Sequence, residues 1–135
     1  MNPDKYVYHL LADVSAITAI IGAGNIYSAQ IKQGATYPAI MVETISNVSL
    51  SDKDGNNMFR AMVQVNCYAQ SYAPANNLNR LVKAAIDRYS GLIHGTSILQ
   101  IDFEDWRDLT ISNAEYQGLH HISADYIIHY LEGGS

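Results

Sequence analysis

The sequence predicts an α+β domain, a two-layer sandwich with two helices packed on one face of a mostly antiparallel sheet of four to five strands. Three observations support this prediction. Some segments alternate apolar and polar residues with the period of two that is typical of strands, and others repeat apolar residues every three to four positions as helices do. The segments follow one another as helix, strand, strand, strand, helix, strand, strand, an order that favours two packed layers around one core.

The first helical segment begins near Asn2, a suitable capping residue, and Pro3 fits the first turn. A restart at Asp13 or Ser15 would divide the segment into two short helices, and the pattern is compatible with both arrangements. One side of the segment is predicted to pack on the sheet. That side consists of Val7, Leu10, Leu11, Val14, Ile17 and Ile21.

Three strands are predicted next. A short one lies around residues 26–28, and a second begins after Pro38 with Ile40 and Val42 on its buried face. The alternation of the third strand places the single cysteine of the chain, Cys67, in the core. In that strand Ala61, Val63, Val65 and Cys67 alternate with Arg60, Met62, Gln64 and Asn66.

A second helix is predicted after Ser71, and two strands follow it. The helix has an apolar side formed by Leu78, Leu81, Val82, Ala85, Ile86 and Tyr89. The fourth strand alternates Leu99, Ile101 and Phe103 with polar residues. The last strand, over 119–131, has one face with Ile122, Ala124, Tyr126, Ile128 and Tyr130 and another with His121, Ser123, Asp125, Ile127 and His129.

The composition indicates one globular domain over residues 1–135, with 48% hydrophobic and 16% charged residues. Residues 132–135 are predicted to form a flexible tail. Eight Lys and Arg against 13 Asp and Glu give a net charge of -5 without a cationic cluster, which disfavours nucleic-acid recognition. Because no apolar run reaches the roughly 18 residues of a membrane helix and no signal-peptide pattern opens the chain, we expect a cytoplasmic protein that contacts no membrane.

The histidines do not form a convincing metal site in the sequence. His120 and His121 are neighbours on a strand and point to opposite faces. His121 and His129 share a face but lie about 26 Å apart at the rise of a strand. His9 and Asp13 lie one helical turn apart, which suits two ligands, but catalytic zinc takes three protein ligands. We therefore predict no metal.

Other reactive side chains also have structural explanations. A thiol such as Cys67 in an apolar core has a raised pKa and little reactivity. Asp102 and Glu104 are predicted on one strand face, but extended carboxylates diverge whereas calcium needs several convergent oxygens. A solvated acidic face with Arg107 as a neighbour explains them equally well. Since no catalytic or cofactor-binding motif occurs in the sequence, we predict no cofactor and no enzymatic activity.

The sheet face away from the helices is the candidate binding surface. An uncovered apolar face is typical of contact with a partner, although monomers also tolerate scattered exposed apolar side chains. The polar loop between the second and third strands is predicted to project as a contact element. The candidate interface residues are Met41, Ile45, Met62 and Ile127 on the sheet and Asp52, Lys53, Asp54, Gly55, Asn56 and Asn57 in the loop.

Several strings spread over nearly the whole chain have an informative order and spacing. They are His9-Leu10-Leu11-Ala12-Asp13, Tyr37-Pro38-Ala39-Ile40, Val63-Gln64-Val65-Asn66-Cys67-Tyr68-Ala69, Glu104-Asp105-Trp106-Arg107-Asp108 and Asp125-Tyr126-Ile127-Ile128-His129-Tyr130. In this order they resemble the tail-completion, or tail-terminator, family of long-tailed bacteriophages and gene transfer agents. The chain departs from the commoner family pattern at 113–116, where members often have an acidic turn with Thr-Gly.

The resemblance implies a small α+β fold and a homo-oligomeric ring, usually a hexamer, at the head-proximal end of the tail tube. Such a ring stops tube growth, contacts the tail tube protein and presents a surface to the head-completion or connector proteins. The family has no catalytic residues to carry over. DNA would only pass through the lumen without specific binding, and the protein would belong to the virion after assembly in the host cytoplasm.

Two other functions stay open on the sequence. A head-completion or head-tail joining protein of the connector would act through the same kind of protein contacts. An enzyme or a small-ligand-binding domain belongs to a different class, and it would need a convergent group of polar residues that the sequence does not indicate.

Overall fold

The computed structural model describes residues 2–22, 24–31, 36–50, 57–109 and 119–131. Within these ranges the chain forms helices and strands that confirm the predicted α+β class. In chain order they are α1 (Pro3–Ala12), α2 (Ser15–Ile21), β1 (Ile26–Ser28), β2 (Ala39–Ser49), β3 (Met58–Ala69), α3 (Tyr72–Ile86), β4 (Gly91–Ile93), β5 (Thr96–Asp108) and β6 (His120–Leu131).

The strands form one sheet in the order β1-β2-β3-β6-β5-β4. β1 is parallel to β2, and the other neighbouring pairs are antiparallel. Over the described residues the sheet therefore has six strands, and the prediction of four to five is wrong in number. The sequence pattern does not indicate β4, because a strand of three residues is too short to show alternation.

The helical layer also differs from the prediction, since the described ranges contain three helices rather than two. Asp13 ends α1, where its backbone N–H donates to the carbonyl of Leu10 and the next N–H, that of Val14, donates to the carbonyl of Leu11. Val14 then has an extended backbone, with φ -93° and ψ 106°, which redirects the chain into α2. Both Leu11 before this break and Ile17 after it are fully buried. Of the two arrangements that the sequence allows, the structure has the divided one.

The start of α1 is held by the sheet rather than by its own capping residue. Asn2 occupies the cap position, but its side chain makes no capping hydrogen bond. The backbone N–H of Asp4 instead donates to Thr44 Oγ1 at 3.1 Å. The buried Asp4 carboxylate accepts from Thr44 Oγ1 at 2.9 Å and from Ser28 Oγ at 2.6 Å. This carboxylate therefore joins the helix to both β1 and β2.

The core lies between the three helices and one face of the sheet. From the helical side, Tyr6, Leu11, Ile17, Leu78, Val82 and Ile86 are buried in it. The predicted buried face of the sheet is confirmed. Ile40, Val42, Val63, Val65, Cys67, Ile122 and Ile128 are all 0% exposed.

Two strands contain irregularities that change which side chains share a face. The pairing of β2 with β3 shifts between Thr44 and Ser46, so Ile45 is an extra residue in β2. The pairing of β5 with β6 shifts between Ile98 and Gln100 and again between Phe103 and Asp105. The second shift makes Glu104 the extra residue, so Asp102 shares its face with Asp105.

The two edges of the sheet are protected differently. Along β5, the Phe103 N–H donates to Asp87 Oδ1 at 2.9 Å and the Trp106 N–H donates to Asp105 Oδ1 at 2.8 Å. Carboxylates thus occupy backbone donors that another strand would need. At the other edge β1 ends opposite Val42, and no described strand continues along β2 beyond that point.

Candidate interaction surface

The candidate surface is the outer face of the sheet, opposite the helices. Its side chains come from alternate residues of β2, β3, β6 and β5, which the strand register aligns in rows. The rows form two chemically different groups. The polar half consists of Glu43, Gln64, Asn66, Tyr68, Arg107, His121, Ser123 and Asp125. The apolar half contains Ile45, Val48, Leu50, Met58, Met62, Ile127 and Leu131, and its rows also include the polar residues Ser46, Arg60, His129, Gln100 and Asp102.

Asn66 is the centre of one hydrogen-bond group in the polar half. It is 1% exposed although none of the described helices covers this face. Its Nδ2 donates to the carbonyl of Met41 at 3.3 Å, and its Oδ1 lies 2.7 Å from Nε2 of His121. The His121 ring stacks on Tyr68 with the ring centroids 4.3 Å apart. The buried amide of Asn66 therefore has partners at both ends.

A second group joins Gln64 to an ion pair. Arg107 binds Asp125 through both terminal nitrogens, at 3.0 Å and 3.3 Å. With its amide nitrogen toward Glu43, Gln64 donates to Glu43 Oε1 at 2.8 Å. Its oxygen then accepts from Ser123 Oγ at 3.1 Å and from Arg107 Nη2 at 3.0 Å. This orientation satisfies both ends of the amide, so the group is held together by its own members.

Two pKa values in the polar half are displaced by this packing. Burial lowers the pKa of His121 below its ordinary value of 6.5, and Asp108 opposes that effect. The neutral ring therefore donates from Nε2–H to Asn66 at pH 7. The hydrogen bond to Asp125 raises the pKa of Arg107, which keeps the guanidinium charged.

The apolar half contains the large aliphatic side chains that this face leaves in water. Ile45 and Val48 are each 51% exposed, and Leu50 is 41% exposed. The hairpin of β2 and β3 continues to this point, because the Leu50 N–H donates to the Met58 carbonyl at 2.8 Å. Full burial of such a side chain is worth about 1.5–3 kcal/mol, so contact with a partner would gain a substantial part of that. In the single chain, this part of the outer face therefore leaves apolar surface exposed to water that a partner could bury.

The structure brings together three of the four apolar residues predicted for this face. Met62 lies opposite Ile127, and Ile45 lies beside Met62 at the bulge. Met41 lies apart from these three. It is opposite Asn66 on β2, and its carbonyl accepts a hydrogen bond from the Asn66 amide of the polar half. Ile127 is only 3% exposed, contrary to its predicted accessibility. The reason is its central strand, which places neighbouring side chains on both sides of it.

Most of the predicted contact loop lies outside the described residues. Asn57 is described, and it is exposed directly before β3. The remaining loop residues, Asp52, Lys53, Asp54, Gly55 and Asn56, fall in the range 51–56, which is not described. The same applies to 113–116, where the sequence departs from the family pattern, and to the predicted tail at 132–135.

Sequence reasoning missed Val48 and Leu50. Strict alternation from Ile40 and Val42 assigns Val48 to the buried face. The extra residue Ile45 reverses that assignment, so Val48 lies opposite Arg60 on the outer face. The sequence does contain a sign that the strand is longer. Val48 and Leu50 are two apolar residues separated by one polar residue, and this alternation continues the strand beyond its predicted end near residue 46 and up to the polar loop.

His9, which the sequence places one helical turn from Asp13, lies beside a second histidine, His94, in the fold. The rings of His9 and His94 lie 4.1 Å apart between centroids, and Asp13 lines the same cavity of about 240 Å³. Burial, and then the charges of His94 and Lys5, lower the pKa of His9. Within the described ranges, no group of three or more metal-ligating side chains converges here or elsewhere.

Two further observations concern other classes of function. Cys67 is fully buried, and burial raises the pKa of its thiol to about 12, which makes it unreactive at neutral pH. In the part of the chain that the structure describes, no helix combines the length and the apolar character that crossing a membrane requires.

Comparisons with known proteins bear on the family and on the fold. The family model described as tail completion protein gp17 matches residues 5–130. Among solved structures, a chain of the virion of a native gene transfer agent particle is similar to this chain, with a TM-score of 0.74 and 14% sequence identity. The match covers 96% of this chain and 94% of that chain, and at this identity it shows the shared fold alone. No curated protein matches the sequence.

Proposed function

Because this chain belongs to the tail completion protein gp17 family, whose members are structural proteins of phage-type tails, we propose that it closes the head-proximal end of the tail tube as a ring of identical subunits. The ring is a hexamer that ends the addition of tail tube protein. Its other surface binds the head-completion or connector proteins. The protein assembles in the host cytoplasm and stays in the virion.

The uncovered apolar half is the observation that carries this proposal. Ile45, Val48 and Leu50 expose about half of their surfaces on one side of the β2–β3 hairpin. Patches of this kind usually mark contacts between proteins. A patch that binds a different patch on the next copy produces a ring when the rotation closes. The proposed subunit contact therefore includes this half, to which Met62 and Ile127 belong, together with Met41 and the predicted contact residues 52–57.

The role is structural and involves no reaction. The titratable groups of the polar half bond to other members of that half: Arg107 pairs with Asp125, and His121 bonds to the amide of Asn66. Cys67 is enclosed in the core. A site for catalysis instead needs polar groups that converge on a space where a substrate can lie.

In this role DNA passes through the ring without specific binding. Tight binding of a phosphate backbone depends on clustered cations that displace counterions. The chain has eight Lys and Arg against 13 Asp and Glu. A net acidic lining would therefore allow DNA to slide, because it offers few attractive contacts to phosphates.

Electron microscopy of particles produced without this protein tests the proposal. Loss of a terminator predicts tail tubes of uncontrolled length and heads without tails. Tubes of normal length beside tailless heads would instead identify a head-completion or joining protein, and normal particles would contradict both roles. Complementation with the wild-type chain is the positive control. Complementation with Cys67→Ala should restore particles equally, and its failure with a well-folded variant would support an enzymatic function.

A further inference from the structure

One row of side chains on the outer face crosses the whole sheet at the end where β2 and β3 form their hairpin. Leu92 of β4 lies opposite Ser97 of β5, which lies opposite Leu131 of β6. Leu131 lies opposite Met58, whose carbonyl accepts from the Leu50 N–H. Side chains directly opposite each other share one face of a sheet. This end row, which consists of Leu50, Met58, Leu131, Ser97 and Leu92, is therefore apolar except for Ser97 and reaches both edges.

The two ends of the end row are its most exposed parts. Leu92 is 73% exposed, which is more than any other large hydrophobic side chain among the described residues. Leu50 is 41% exposed, and Val48 near it on β2 is 51% exposed. Met58 and Leu131, in the middle of the row, are only partly exposed. A partner therefore gains most by covering the ends, and a copy of the chain at each edge does so.

The β4 end also offers a space for the side chains of a partner. A cavity of about 240 Å³ lies beside Leu92, and Leu10 and Ile93 contribute further apolar surface to it. Asp13 and His94 line the same cavity, and both are exposed. This end therefore combines apolar surface with polar groups at its margin, as protein interfaces do.

The charges beside the two ends have opposite signs. Arg60 lies opposite Val48 on the outer face, and Asp13 lines the cavity beside Leu92. Both Arg60 and Asp13 are exposed, and neither forms an ion pair with another described residue. The β2 end thus carries a free cation and the β4 end a free carboxylate within the described part of the chain.

The other ionisable groups near the β4 end do not neutralise Asp13. Burial lowers the pKa of His9, so this neighbour is uncharged at pH 7. Lys5 precedes Asp13 by about 12 Å along α1. Arg88, just beyond the end of α3, has Asp87 as its neighbour in the sequence. An arginine from another copy therefore meets a complementary charge here.

We propose that the β2 end of the end row in one copy of the chain packs on the β4 end in the next copy. Val48 and Leu50 of one copy contact Leu92 of the next, and Arg60 pairs with Asp13. This inference rests on the proposed ring and deepens it, because it names the surface on which the apolar half docks. The contact is formed by side chains and needs no hydrogen bond between strands of different copies.

The positions of the two ends favour a closed ring. They lie on opposite edges of the sheet, about 19 Å apart at the usual spacing of strands. Two different patches make a head-to-tail contact, which is the kind that forms rings. Because both ends belong to one row, the next copy can follow by rotation about an axis along the strands without a displacement. A displacement at every contact would produce a helical filament instead.

Cross-linking of cysteine pairs tests the contact directly. We would combine Val48→Cys at the β2 end with His94→Cys at the β4 end and treat the protein with a short bismaleimide. Cys67 contributes little background because it is fully buried. The expected result is a ladder of covalent oligomers up to the size of the ring.

Two controls define the ladder. A mixture of the two single variants should stop at dimers, because each copy then carries only one reactive end. The matched control combines Val48→Cys with Glu104→Cys, and this pair should give no ladder. Glu104 is exposed on β5, but it lies about 23 Å along that strand from Ser97 of the end row.

An exchange of charges separates docking from folding. Arg60→Glu or Asp13→Arg alone should weaken association about fivefold, because each places like charges in the contact. The double variant restores the pair with its signs reversed, so association should return to nearly the wild-type value. Since both positions are exposed, the thermal midpoint of the single subunit should change little in all three variants.

The outcomes distinguish this contact from the ring itself. A ladder with the Val48 and His94 pair alone, together with recovery in the charge exchange, supports the contact. A ring of normal mass that gives no ladder, or the same ladder with the Glu104 control, contradicts the contact and leaves the ring intact. A double charge variant that associates no better than the single variants contradicts the pairing of Arg60 with Asp13. Protein that stays monomeric at every concentration used, in light scattering and beside tail tubes, contradicts the contact and the ring together.

Discussion

The two halves of the outer face lie on the same strands but differ in where their side chains find partners. In the polar half, Asn66 is 1% exposed and bonded at both ends of its amide. In the apolar half, Ile45 and Val48 remain 51% exposed. No helix in the described part of the chain covers either half. An open sheet face is therefore not a contact surface over its whole area. Only the half with exposed aliphatic side chains gains free energy when a partner covers it, because the polar side chains of the other half already have hydrogen-bond partners.

The largest expected effect comes from placing charges in the apolar half. The double variant Ile45→Asp and Val48→Asp should weaken association at least about 100-fold. Burying the exposed half of each aliphatic side chain is worth about 0.8–1.5 kcal/mol, and each new carboxylate adds the cost of its own desolvation. Stability of the single subunit should change little, because both side chains are half exposed. Light scattering over a dilution series measures the association, and urea unfolding measures the stability.

The matched control for this variant is Ile20→Asp on α2. Ile20 is 39% exposed but lies in the helical layer. It should leave the mass of the assembly unchanged. If the double variant assembles as tightly as the wild type, the apolar half is not a subunit contact, and the difference between the two halves has no role in assembly.

A smaller effect, of the opposite kind, is expected from the polar half. Asn66→Ala removes the acceptor of His121 and the donor to the Met41 carbonyl, and it should lower the free energy of unfolding by about 2 kcal/mol. Urea unfolding in the charged double variant measures this without a contribution from assembly. Asn57→Ala, at an exposed position, should change the free energy by less than about 0.5 kcal/mol. Equal effects of the two variants would mean that the Asn66 hydrogen bonds add nothing to stability.

The smallest effect concerns pH and the same hydrogen-bond group. The pKa of His121 is lowered in the fold from its ordinary value of 6.5, so the unfolded chain binds the proton more readily. Stability from this group is therefore fully present above about pH 6.5 and is lost as the pH falls below it. Urea midpoints between about pH 5 and pH 8 should fall on the acidic side, and less so in His121→Gln, which stays neutral.

The lowered pKa of His9 gives a dependence of the same sign, so only the difference between His121→Gln and the parent protein reports on His121. If the two pH profiles are parallel, protonation of His121 is not opposed by the fold. The polar half would then owe its stability to the groups around Gln64 and Arg107.

Alternation in the sequence is sufficient to predict the core face of the sheet. Ile40, Val63 and Ile128 are buried as predicted, because burial of one face imposes a period of two on regular strands. The pattern fails at Ile45, where the extra residue changes the face of everything after it in β2. A bulge is a property of two paired strands, and one strand's sequence does not contain that information.

The candidate surface was predictable in its location but not in its extent. The alternation places Met62 and Ile127 on one face, and the register confirms that they are opposite each other. Their exposure depends on neighbouring strands, which is why Ile127 is buried and the more distal Val48 is not. The contact of Lys83 in α3 with the ring of Phe103 in β5 joins a helix to a strand about 20 residues further along the chain, and no local pattern specifies such a contact.

The carboxylates on the edge of β5 have a consequence for aggregation. A sheet protein polymerises edge to edge only if each molecule offers two pairable edges, one for each neighbour. The carboxylates of Asp87 and Asp105 accept hydrogen bonds from the backbone N–H groups of Phe103 and Trp106, so another strand cannot pair with β5 there. In the described residues, the part of β2 beyond Val42 is then the only long strand edge without a partner. Two chains could pair through that edge, but a third could not follow, and fibre growth stops at the first step.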